Sequence, residues 1–306
     1  MIGNFKIIDF RCRPPIAPYK TLFEIKMNRL TWENRFEVAP SQGVSPSMHH
    51  AGADAGLVYL KQEMDAAGID LIVTPGRRTP PGGIENPAGG EGEVDFNVTD
   101  EMLVALRQRL DNRLVGLTGL DLSQPVDTLV AQINKAVTEH DLRGVVMEPG
   151  YFTAPGGGPL WADNPSLYPI YETVIKHDIF VMHQSGIYAG PDFGVNHWPP
   201  IDRLLQEFPK LKLLLAHGGY PAIVEALALG SKHPNFYISP DIYCFFPGGE
   251  LYVNAISKMP DQFIFASAYP LGSFKESVDG SLRFPLSDDV MQKYLYGNAA
   301  RLLKLS

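Results

Sequence analysis

Short apolar runs that stop at a charged residue, a histidine or a glycine-proline turn recur along the whole chain, each followed by residues at helical spacing. The clearest is Leu211 to Pro221 (LKLLLAHGGYP), where an apolar run ends at His217 and a double glycine, and a helical pattern starts at Ala222. Such a run suits a parallel strand covered on both faces, and glycine lets backbone approach a ligand where the strand stops. The same reading expects strands at Lys6 to Arg13, Ile69 to Thr74, Arg113 to Leu120, Gly144 to Met147, Ile179 to Met182, Asn235 to Ser239 and Gln262 to Ser267. Helical patterns alternate with them, at Leu57 to Ala67, Thr99 to Leu110, Val126 to His140, Pro165 to His177, before Leu211, and at Ala222 to Gly230, Leu251 to Lys258 and Ser287 to Leu305. Eight strands alternating with helices predict an α/β fold, a (β/α)8 TIM barrel. The chain, 1–306, is read as one barrel domain with a loop-rich insertion after the first strand, at about 14–56.

Loops after most strands are long and rich in glycine, proline and aromatics, whereas those before strands are short. That asymmetry places the site at the carboxyl ends of the strands. The net charge is −8, and lysine and arginine do not cluster, which argues against a nucleic acid partner. No apolar run is long enough to span a membrane. Two cysteines, Cys12 and Cys244, and no apolar leader segment predict a reduced, cytoplasmic protein. A homodimer or larger homo-oligomer is left open.

The residues at the strand ends are Arg11 and Arg13, Arg77, Asp121, Glu148, His183, His217, Asp241 and Ala268. With Ile-Ile-Asp9, Asn97-Val-Thr-Asp100, Leu142-Arg-Gly-Val-Val, Ala216-His217-Gly-Gly, Ser267-Ala-Tyr-Pro270 and Gly297-Asn-Ala-Ala-Arg-Leu-Leu303, the chain resembles the amidohydrolase superfamily, in its amidohydrolase-2 branch of decarboxylases, lactonases and related enzymes. The resemblance implies His-x-His at the end of strand 1, histidines ending strands 5 and 6, and an aspartate before Tyr-Pro on strand 8. Here the first pair is Arg11 and Arg13 and the aspartate is Ala268, while His183 and His217 match.

Guanidinium has no lone pair to offer a metal. At roughly 5 Å and an effective dielectric of about 20, each arginine would repel a divalent cation by about 7 kcal/mol. The sequence therefore predicts no cofactor, with zinc or manganese disfavoured by Arg11, Arg13 and Ala268; if a metal binds, His183, His217 and Asp241 are its ligands. Arg11 and Arg13, two apart on a strand, share a face and form an anion clamp. His183 and His217 are general acid or base, supported by Asp241. Glu148, Tyr243 and Tyr269 complete the substrate-binding set, with Glu148 neutralising an arginine. The function this predicts is metal-independent hydrolysis of a small carboxylated substrate, lactonase-like. The alternatives are a lyase that decarboxylates an aromatic or unsaturated acid and a non-catalytic anion-binding barrel.

Overall fold

A computed structural model of the chain describes residues 5–16, 19, 53–77, 84–85, 93–94, 97–150, 152–187 and 198–305. Seven parallel strands stand in sequence order: β1 (Ile8–Asp9), β2 (Leu71–Pro75), β3 (Leu114–Gly119), β4 (Gly144–Met147), β5 (Phe180–His183), β6 (Lys212–Ala216) and β7 (Phe236–Ser239). Helices alternate with them, among them Ala53–Ala67, Asp100–Arg109, Val126–Thr138, Tyr168–Lys176 and Ile223–Lys232. The barrel is the predicted one, with two differences. The eighth segment, 262–267, forms no regular strand: a bridge joins Ile238 to Phe263, and Phe10 N donates to Phe265 O (3.1 Å) across the seam to β1. The expected first strand is likewise reduced to Ile8–Asp9. Most of the 14–56 insertion, with His49 and His50, lies outside the described residues, as do Arg78, Tyr151, Tyr188, Phe193 and His197.

Two apolar layers explain why the strands read as unbroken apolar runs. Leu213 and Leu215 of β6 join the layer packed under the helices, with Leu103, Leu129, Ile133 and Ile170. Leu214 and Ala216 join a second cluster with Ile8, Phe10, Val73, Leu117, Val146, Phe180, Met182, Ile264 and Ala266. Side chains drawn from β1 to β6 and the eighth segment into one cluster, with Tyr237 of β7 packed against it, fill the barrel interior, so the strands are covered on both faces. Helix Val126–Thr138 buries Leu129, Ile133 and Ala136, at spacings of three and four that put them on one face. Asp100–Arg109 starts where Thr99 accepts a hydrogen bond from Met102 N (3.2 Å), with acids in its first turn and arginines in its last. No helix among the described residues is long and apolar enough to cross a membrane.

Candidate functional site

Because all seven strands run parallel, their carboxyl ends open on one rim. Beyond Ala216, alternation stops: His217 takes a left-handed backbone (φ 61°), as does Asp241 (φ 55°) after β7. These two turns bring the side chains together, with His217 Nδ1 2.8 Å from Asp241 Oδ2, an ion pair when the imidazole is protonated. Ser239 Oγ donates to the other carboxylate oxygen (2.6 Å), and Arg11 Nε lies 3.7 Å from Oδ2. Asp241 is fully buried, which pushes its pKa up, but His217, Arg11 and Ser239 together hold it below the usual carboxylate range. Burial, and then Arg11, lower His217 to about 4, so the imidazole is neutral at pH 7 beside an ionised carboxylate.

Burial and the neighbouring Arg13 lower Arg11 to about 9, which leaves it cationic at neutral pH. Arg11 Nε and Nη1 and Arg13 Nη1 are buried without a hydrogen-bond partner. Arg13 faces Tyr19, Arg77, Asp241 and Glu148. Glu148 pairs with Arg77, at 3.0 Å. Among the described residues three guanidinium groups thus face two carboxylates, an electropositive set in a chain whose net charge is −8.

His183, the last residue of β5, is 3 % exposed, is lowered to about 4 by burial, and has no partner at Nδ1. It is on the strand beside that of His217, in register with Leu215, and is not ion-paired with the Arg11–Asp241–His217 group. Tyr243 packs edge-on against His217 (5.6 Å between ring centres) and stacks on Tyr220 (4.7 Å), forming an aromatic wall. Tyr269 does not join that wall. Its hydroxyl donates to Glu63 (2.7 Å) on helix Ala53–Ala67 and its ring stacks on Phe274, which places it in the layer between barrel and helices.

Three supporting residues lie outside the expected set. Ser239 orients Asp241. Asp9 accepts from Arg11 N (2.8 Å) and from Ser267 Oγ, fixing the start of the arginine segment. Ser185 Oγ donates to Ala216 O and accepts from Gly219 N (3.1 Å), tying down the His217 turn. For the two serines, short hydroxyl side chains beside strand ends were the available signal, and they are too common in turns to stand out.

The amidohydrolase-2 family model, described as amidohydrolase, matches residues 63–305. Among solved structures, an uncharacterized TIM-barrel protein, Bb4693 from Bordetella bronchiseptica, is 27 % identical with a TM-score of 0.81, over 98 % of both chains. A dihydroxybenzoic acid decarboxylase from Polaromonas sp. JS666, solved with manganese and the inhibitor 2-nitroresorcinol, is 16 % identical with a TM-score of 0.68, over 98 % of this chain and 97 % of that one. A 4-oxalomesaconate hydratase from Rhodopseudomonas palustris is 19 % identical with a TM-score of 0.62, over 97 % and 95 %. No curated protein matches the chain. The expectation of no cofactor is corrected by these relatives, since manganese is bound in a decarboxylase of this fold. The donors in this chain do not fit such an ion as they stand: among the described residues no three of histidine, cysteine, aspartate or glutamate group as ligands. Because the family model covers most of the sequence, the chain belongs to the amidohydrolase family.

Proposed function

We propose that the protein is a carbon-carbon lyase that decarboxylates a small aromatic or unsaturated carboxylic acid. The observation that carries this reading is the buried Arg11, short of partners, beside the His217–Asp241 pair. Guanidinium donors unsatisfied by the protein call for an anionic oxygen, and an imidazole backed by a carboxylate is built to hold or move a proton. Decarboxylases of this fold, and the small aromatic acids they handle, support the same choice over lactone hydrolysis, the first expectation from sequence.

Decarboxylation needs a proton delivered to the carbon that bears the carboxylate. His217, once protonated, donates it. The bond to the carboxylate then breaks, its electron pair returns to the ring or double bond, carbon dioxide leaves, and His217 is reprotonated from solvent. Ionised Asp241 stabilises the imidazolium that precedes the donation and that reprotonation restores. Arg11 holds a substrate oxygen in place, and Tyr243 offers an aromatic face beside His217. These steps use the chain's own side chains.

The test incubates the protein with a panel of aromatic and unsaturated acids, with and without added manganese, and follows carbon dioxide in a closed cell. A parallel panel of lactones is followed by acid release. Carbon dioxide release is expected, with kcat lowered by about 100-fold or more and KM little changed in Asp241→Asn. Acid release from lactones without carbon dioxide overturns the lyase reading. A second reading, water addition or hydrolysis, is favoured by the neutral His217 beside Asp241, a suitable base for water; water addition to an unsaturated acid is its signature.

A further inference from the structure

We infer that Ser185 and Gly186 are positioning residues for His217: together they fix the direction of its imidazole, and through it the rate of the chemical step. The inference deepens the lyase reading and rests on it for the role of His217. The turn that carries this histidine needs outside support. Three successive positions, His217, Gly218 and Gly219, have positive φ (61°, 61° and 78°). For the histidine that backbone is costly, and the glycines bring no side chain to resist another conformation, so surrounding contacts have to hold the turn.

Ser185 supplies them on both sides of the histidine. Its hydroxyl donates to Ala216 O and accepts from Gly219 N (3.1 Å), so one buried atom spans the turn. A hydroxyl both donates and accepts at a single atom, which an amide nitrogen or a carboxylate oxygen does not. Tyr252 holds the middle, donating to Gly218 O (3.0 Å). The clamp is itself anchored, because Gln184 N donates to Met147 O (3.0 Å) and continues the pairing of β5 with β4.

Gly186 does a second job. Its φ is 103°, and a Cβ there would lie 3.0 Å from His217 Cβ and 3.4 Å from Cγ and Cδ2. The glycine thus leaves the space that the root and the Cδ2 side of the imidazole need, while Nδ1, on the other side of the ring, lies 2.8 Å from Asp241. The ring is bracketed between the ends of β5 and β7. Releasing the turn or filling that space should turn the imidazole away from its working direction.

Proton–nitrogen correlation spectra of the full chain carrying isotope-labelled histidine, at one fixed pH, test the clamp without any substrate. The chain has eight histidines, and His217→Gln assigns the ring signals of His217. One sharp set is expected for His217 in the parent and in Ser185→Thr, which keeps the hydroxyl. In Ser185→Ala and in Gly186→Ala that set should broaden, shift or double, while histidines elsewhere in the chain keep theirs. On the acid turned over in the carbon dioxide assay, Ser185→Ala should lower kcat about tenfold or more with KM within about threefold, and Ser185→Thr should restore most of it. Unchanged His217 signals in the variants that fold overturn the proposal, as does a loss that lies in KM alone. If neither alanine variant folds, the two residues are structural and the proposal fails. Absence of carbon dioxide from every acid would sink the lyase reading and leave the clamp to stand or fall on the spectra.

Discussion

His183 and His217 are both lowered from 6.5 to about 4, with burial the largest cause, and Asp9 is raised from 3.8 to about 7, also by burial. The signs oppose one another. For each histidine the unfolded chain binds more protons between about 4 and 6.5, so its contribution is complete above 6.5 and is lost as pH falls. For Asp9 the folded state binds more protons between 3.8 and 7, and its contribution is lost as pH rises. Two histidines against one aspartate leave a net slope of about one proton near pH 5 that fades toward pH 6.5 and favours higher pH throughout. Urea midpoints measured from pH 5 to 6.5 should therefore rise with pH, and in His183→Gln the remaining pair should nearly cancel and flatten the curve. A slope as steep in the variant as in the parent would refute the burial assignment. From sequence, His217 and Asp241 were identifiable as strand-end groups because their motifs mark where strands stop. Tyr269 was misread because an aromatic at a strand end has two sides to face, and only packing against Phe274 and Glu63 decides between them.

The turn that follows β6 shows how an element fixes a site. Gly218 and Gly219 both have positive φ (61° and 78°), and a Cβ at Gly219 would overlap the Trp198 ring at the start of helix Trp198–Glu207. Gly219→Ala should cost about 2–4 kcal/mol, the sum of a left-handed backbone penalty and overpacking. Gly156, at φ 96°, has nothing within 4 Å of the place a Cβ would occupy, so Gly156→Ala should cost only about 1–2 kcal/mol. Equal costs in denaturant melts would show that Trp198 yields. The glycines of this turn were legible, since an apolar run stopping at His-Gly-Gly marks a strand end. Which side chain they make room for was not, because Trp198 comes from the preceding helix and no spacing rule links the two. The boundaries of helices such as Asp100–Arg109 were legible for the opposite reason: cap, first-turn acids and last-turn arginines are all local.

At the scale of the whole molecule, the alternation of strands and helices revealed the barrel, but not how the barrel closes. The sequence predicts a regular eighth strand at Gln262 to Ser267, and the structure replaces much of its pairing with a side chain. Ser267 N lies 3.3 Å from both carboxylate oxygens of Asp9, Ser267 Oγ donates to the same carboxylate, and Tyr269 N donates to Ser267 Oγ (3.0 Å). Asp9 and Ser267 are 258 residues apart, so no local pattern announces the link. Asp9 also accepts from Arg11 N, and the seam therefore sets the height of the arginines in the mouth. With its pKa raised to about 7, Asp9 is largely protonated at pH 5 and largely ionised at pH 8.5. Asparagine mimics the protonated acid and keeps a partner for Ser267, while alanine removes both. Asp9→Asn should thus match the parent protein at pH 5 and exceed it by about 1–3 kcal/mol at pH 8.5, where the parent holds a buried charge. Asp9→Ala should be weaker than the parent at both, by about 1–3 kcal/mol at pH 5, because Arg11 N and the Ser267 groups lose their acceptor. Denaturant melts of the three proteins at the two pH values decide it: if asparagine and alanine are equally destabilising at both, the carboxyl is a seam residue held ionised throughout, and burial does not control it.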